Sequence, residues 1–178
     1  MGSLTHGELC QRALRWLYGT RRCQPVFGNV ASCDEIPDAI GWASSFRWRG
    51  STVVECKTSV SDFYADKKKA IGFEHPTNGD RQLHGRFGRR VAQQLGYVEV
   101  PLPRMGNFRF FMSEPDIVTI NLVEKHAPDH GLLHVIGRKV VIVRDAPKRE
   151  MVDLQTEVRY LRFAIINKKA PYSKGNMP

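Results

Sequence analysis

No stretch of this 178-residue sequence approaches the ~18 consecutive apolar residues that a membrane-spanning helix requires, so no such span is expected. Met1 to Leu9 carries Thr5, His6 and Glu8 and lacks the apolar centre of a secretion signal, and the expectation is a protein that stays in the cytoplasm. The four cysteines, Cys10, Cys23, Cys33 and Cys56, include no CxxC pair, and their spacings match no common zinc finger. Reduced thiols are expected, with zinc held by Cys10, Cys23, Cys33 and a distant His as the alternative. Internal repeats and low-complexity tracts are absent, and the length suits one domain with a sizeable core. Negative charge is scarce: 18 acidic against 27 basic residues leave a formal charge of +9. Hydrophobic content of 42% and charged content of 25% are ordinary, so the positive excess is the unusual feature. Nucleic acid suits it best, membrane surfaces being the other class of partner.

What the chain does have is a set of acids where apolar residues would be expected. Thr52 to Lys57 is β-branched enough for a strand, and alternation puts Glu55 and Lys57 on one face with Val54 and Cys56 on the other. Ala43 to Ser45 and Gly50 suit a turn that folds the Asp38 segment back beside this strand, bringing two carboxylates and an ammonium into a small volume. Adjacent carboxylates repel, and a divalent cation relieves that repulsion. Hard oxygen donors point to Mg²⁺, with Mn²⁺ as the variant, and a Lys beside a metal-bound water suits phosphoryl chemistry.

Pro37-Asp38, sixteen intervening residues and then Glu55-Cys56-Lys57 resemble the PD-(D/E)xK nuclease signature. The continuation Thr58-Ser59-Val60-Ser61-Asp62-Phe63-Tyr64-Ala65-Asp66-Lys67 is similar to that of MmcB-like DNA repair proteins and related phage and bacterial proteins. Trp16-Leu17, Gly106 to Met112 and His130 to Val135 resemble further segments of the family in the same order, so the likeness covers roughly Thr5 to Ala146. It implies an α/β restriction-endonuclease-like core, a mixed central sheet flanked by helices, in a bacterial or phage-infected cell. The implied activity is Mg²⁺-dependent hydrolysis of DNA, in repair or recombination or in phage nucleic-acid processing. Asp38 and Glu55 would hold the metal with the Cys56 carbonyl, Lys57 would orient or deprotonate the attacking water, and Glu8 is a fourth candidate ligand. Two alternatives stand beside it: a catalytically idle nucleic-acid- or protein-binding module on the same fold, and an RNA-directed nuclease.

Along the chain, Thr5 and Glu8 form a capping box opening a helix with the apolar stripe Leu9, Ala13, Trp16 and Leu17, ended by Gly19; capping is the ordinary use of Glu8. Asp34 shares the strand parity of Asp38, whereas Asp34 and Glu35 are also explained by a solvated turn. After Lys57 a helix is expected, capped by Ser59, with Phe63, Ala70 and Ile71 on one face and Lys67 to Lys69 toward solvent or phosphate. Residues 72–104 form a basic insertion, loop-like at first, with one or two helical turns at Val91 to Leu95. There Arg81, Arg86, Arg89 and Arg90 around Phe87, together with Lys67, are the expected nucleic-acid contacts. Strands are expected at Phe108–Met112, Ile117–Val123, Leu132–Ile136 and Lys139–Arg144, with a hairpin turn at Gly137. His126, His130 and His134 read as loop and edge residues. A last helix is expected over 148–166, where Met151, Leu154, Val158, Leu161 and Ile165 form a seam for the sheet or for a homodimer contact, before a mobile basic tail at 168–178.

Overall fold

The computed structural model describes residues 3–29, 36–45, 49–69, 71–74, 81–83, 89–101, 104–150, 152, 154–166 and 171–173, with 67–69, 71–74, 81–83, 89–90 and 100–101 described by backbone alone. Its elements run α1 (His6–Gly19), β1 (Val26–Phe27), β2 (Ala39–Ala43), β3 (Gly50–Cys56), α2 (Val60–Lys69), β4 (Ile71–Glu74), β5 (Arg81–Leu83), α3 (Arg89–Gln94), β6 (Val98–Pro101), β7 (Phe108–Ser113), α4 (Ile120–His126), β8 (Gly131–Ile136), β9 (Lys139–Arg144) and α5 (Leu154–Ile166). The chain is an α/β protein with a mixed six-stranded sheet, in the order β1-β2-β3-β7-β8-β9, flanked by helices.

α1 begins as its sequence predicts. The Thr5 side chain accepts from the Glu8 amide, and the Glu8 carboxylate accepts in return from the Thr5 amide at 2.8 Å. Its stripe Leu9, Ala13, Trp16 and Leu17 packs on the sheet face carrying Val54, Cys56, Phe110, Met112 and Leu133. The other face carries Ile40 and Val53, met by Tyr160 and Ala164 of α5, and Phe111 and Leu132, met by Phe63 of α2 and Val123 of α4. Central strands covered on both faces read as near-continuous apolar runs, and the FRFFM segment of β7 is one. The Arg that interrupts it is the first sign of a buried polar site.

Several expectations are corrected. Ile117 to Val123 is not a strand: Thr119 caps α4 by accepting from the Leu122 amide, and the parallel pairing of β7 with β8 requires a crossover that a helix supplies. Residues 71–104 are more than a loop with a helical turn, since β4 pairs with both β5 and β6 in a second, three-stranded antiparallel sheet, and Ile71 opens β4 instead of extending α2. Of the seam on α5, Leu154, Val158 and Ile165 face outward, Leu154 at 68% and Ile165 at 70% exposed, Leu161 is half-buried against the core and Met151 lies outside the described residues, while Thr156, Glu157, Tyr160 and Ala164 are buried. Glu157 decides that rotation: its carboxylate accepts from Trp42 Nε1, Ser51 Oγ and the Gly106 amide, and a carboxylate with three donors anchors more strongly than a narrow apolar seam. α5 also starts at Leu154, later than Pro147 suggested. Finally, the tail is tied down at one point, where the Tyr172 amide donates to the Val26 carbonyl and its ring meets Tyr18 edge-on.

Candidate functional site

The site forms where β3 leaves the sheet. β2 and β3 pair antiparallel through Ala39↔Val54, so Asp38, one step beyond, stands across from Glu55. Asp38 Oδ2 accepts from the Cys56 amide at 2.7 Å and lies 3.3 Å from His6 Nε2 at the start of α1. The Cys56 side chain points to the α1 face, where Cys10 and Cys56 share a thiol hydrogen bond; it holds the Cys10 thiol below its ordinary range and, with burial, pushes Cys56 well above. The Lys57 amide donates to the Met112 carbonyl, so its backbone is fixed as the strand ends.

Glu55 and Lys57 occupy the opposite face, as alternation requires, and each meets a charge partner far along the chain. Arg109 Nη2 donates to Glu55 Oε1 at 3.3 Å, with Arg109 fully buried and Glu55 2% exposed. Arg109 is itself held by the Met105 carbonyl and by His130 Nε2, which must accept because guanidinium Nε only donates. The proton of His130 therefore sits on Nδ1 and is donated to Asp129 Oδ1, while burial holds the ring's pKa down and keeps it neutral. His130 also stacks on Phe111, with ring centroids 4.6 Å apart. Lys57 Nζ lies 3.3 Å from Asp66 Oδ1 and 3.8 Å from Asp62, and Arg104 takes the other oxygen of Asp66 at 3.2 Å.

The structure thus sets Asp38 on the Cys56 amide at the α1 side and Glu55 and Lys57 on the opposite face with Arg109 and Asp66, Asp38 being within electrostatic reach of Glu55, and it gives Glu8 to the helix cap. His6, two residues earlier, is the α1 side chain at Asp38. Sequence reasoning missed His6, Asp66, Arg109 and His130; the signals on hand were the four-residue step from Asp62 to Asp66 and an Arg inside an apolar strand. Arg86, Phe87, Asp34, Glu35 and Cys33 lie outside the described residues, and Lys67, Arg81, Arg89 and Arg90 are described by backbone alone, in α2, β5 and α3. His6 Nε2, Cys10 Sγ and Asp38 form a group whose ligand atoms all lie within 4.8 Å of one another. The donors suit a divalent cation. With Glu55 Oε1 on Arg109 and Asp38 Oδ2 on the Cys56 amide, Glu55 Oε2 and Asp38 Oδ1 accept no hydrogen bond among the described residues. An imidazole and a thiol beside a carboxylate are donors that suit a transition-metal ion better than Mg²⁺.

Burial, followed by the neighbouring Asp66 and Asp38 carboxylates, pushes the Glu55 pKa up to about 7, against the opposing pull of Arg109 and Lys57. In metal-free protein the unfolded chain gives up this proton near 4.5 and the folded chain near 7. Between those values the folded state binds more protons, so its stability falls as pH rises across the window, by up to about 3 kcal/mol, and levels off above it. Urea unfolding at pH 5 and pH 8 in chelator measures this, and Glu55→Gln should remove that part of the difference. An equal pH difference in both proteins would mean that Glu55 titrates normally.

No family model matches the chain, and no curated protein matches it. Among solved structures, a protein of unknown function from Silicibacter pomeroyi is similar in fold, with a TM-score of 0.53 and 18% identity over 93% of this chain and 88% of that one. At that identity the likeness concerns the arrangement of the backbone. In addition, no helix among the described residues is long and apolar enough to cross a membrane.

Proposed function

We propose that the protein is a divalent-metal-dependent nuclease of PD-(D/E)xK type acting on DNA. The observation that carries this reading is the placement of Asp38, Glu55 and Lys57 at one end of the β2–β3 hairpin, with the Glu55 pKa pushed up to about 7 by burial first and by neighbouring acids second. Asp38, Glu55 and the Cys56 carbonyl would hold the cation, with His6 as the α1 ligand, and the cation would supply polarisation of a phosphate oxygen and activation of water. Lys57 Nζ would orient the attacking water and, having given its own proton to Asp66 Oδ1, take one from that water, or would stabilise charge on the phosphate as an ammonium. Arg109, fixed by Met105 and His130, holds the Glu55 carboxylate in place so that its second oxygen faces the site.

One observation favours a second reading, a nucleic-acid-binding module that does no chemistry: Glu55 and Lys57 each have an internal partner of opposite charge, Arg109 and Asp66. The two readings part in a cleavage assay over single-stranded DNA, duplex DNA and RNA with Mg²⁺, Mn²⁺ or Ca²⁺. The nuclease reading expects turnover with Mg²⁺ or Mn²⁺ and binding without turnover in Ca²⁺, whose longer bonds misplace the attacking water. Binding without cleavage under every metal would favour the module.

A further inference from the structure

We infer that the groove along the outer face of α1 is a track for one nucleic-acid strand, held through its phosphates and leading to Asp38. The strand's alignment rests on the nuclease reading; its binding does not. The groove has a volume of about 620 Å³, and Arg12 and Arg15 of α1 and Arg138 of the β8–β9 turn line it. α1 buries Leu9, Ala13, Trp16 and Leu17 against the sheet, so Glu8, Gln11, Arg12 and Arg15 form the opposite stripe at helical spacing. A rigid helix therefore presents two of the three guanidinium groups.

The charge balance favours an anion. Glu8 is the acid in the lining, and its pKa is held down first by the Thr5 amide and hydroxyl and then by Arg12, so it stays ionised. Three cations against Glu8 and the neighbouring Glu114, whose carboxylate also feels Arg12, leave one positive charge in excess. The lining holds no aromatic ring among the described residues, so the groove offers phosphate contacts without base stacking and is indifferent to sequence. Gln11 also lines it, with its Oε1 buried and without a hydrogen-bond partner among the described residues.

Position links the groove to the candidate site. Thr5 and Gly7 in its lining flank His6, whose Nε2 lies 3.3 Å from Asp38, and because His6 turns with Cys10 to the other side of α1, a strand in the groove reaches Asp38 around the N-terminal end of the helix. With a rise of about 1.5 Å per residue, Arg12 and Arg15 stand about 9 and 13.5 Å beyond His6 along the helix. A strand rising about 3.4 Å per nucleotide covers that distance in roughly three to four nucleotides. Efficient cleavage should therefore require at least about four nucleotides on one side of the cut, since the strand also passes around the helix.

The test uses the full chain, a labelled single-stranded oligonucleotide of about a dozen nucleotides, and fluorescence anisotropy in Ca²⁺ over a salt series. The triple variant Arg12→Ala, Arg15→Ala, Arg138→Ala should bind more weakly and lower the log-log salt slope by about two units, at roughly 0.7 per lost phosphate contact. Replacing the same three residues by Lys should restore most of the slope, which a folding defect would not permit. An unchanged slope and affinity in the triple Ala variant would overturn the track while leaving the nuclease reading intact. Conversely, lost binding in the variant beside a wild type that never cleaves would keep the track and remove the nuclease. Affinity that depends on a 5′-phosphate and not on oligonucleotide length would also overturn the track, since the groove would then take a strand end.

Discussion

Lys57→Ala should keep divalent-ion binding and lose roughly 10²- to 10⁴-fold in cleavage rate, the range of a positioned proton-transfer group. An ammonium does not coordinate a cation, whereas Asp38 and Glu55 supply the oxygen donors. Removing either carboxylate should therefore lower Mn²⁺ or Mg²⁺ affinity together with cleavage. Lys57→Ala is a fair probe because Asp66 keeps its ion pair with Arg104, at 3.2 Å, so the pocket does not inherit an unmatched carboxylate. Calorimetric titration with Mn²⁺ on the three variants, beside the cleavage assay, separates the roles. A wild-type protein that takes up no divalent ion and binds DNA as its variants do would end the nuclease reading.

The largest loss of stability is expected at Asp66. It is 2% exposed and lies between Lys57, also 2% exposed, and Arg104, 7% exposed. Asp66→Ala strips Lys57 and Arg104 of the carboxylate they share and leaves Lys57 the more distant Asp62 at 3.8 Å, which costs up to about 3–5 kcal/mol, the range for a buried pair broken on one side. Adding Lys57→Met should recover part of that loss, because one of the stranded charges goes with it. Denaturant unfolding of the two single variants and the double variant closes the cycle. A cost for Asp66→Ala below about 1 kcal/mol would mean that water, and not this carboxylate, compensates Lys57.

The sequence was informative where interactions are local. Thr5 and Glu8 are three positions apart, and the β2–β3 hairpin is a matter of alternation and a short turn, so the cap and the approach of Asp38 to Glu55 could be read directly. His6, Arg109 and His130 could not be located, because each reaches the site through a tertiary approach that no spacing encodes. Ile117 to Val123 misled because β-branched side chains favour strands, while the Thr119 cap and the crossover geometry decided for a helix. The strands of the small sheet are three or four residues long, too short for a periodic signal. On α5 the apolar seam was legible, but its direction was set by Glu157 finding donors on Trp42, Ser51 and Gly106.

The crossover between β3 and β7 also sets an order of assembly during synthesis. Lys57 meets Asp66 across 9 positions, so that ion pair can form as soon as α2 has left the ribosome. Glu55 meets Arg109 across 54 positions, and the inner edge of β3 stays unpaired until β7 has been made. Closing so long a loop costs entropy before the strand pairing repays it, which makes the docking of β7 the slow step. A nascent chain therefore carries Asp38, Glu55 and Lys57 well before Arg109 arrives to pair with Glu55.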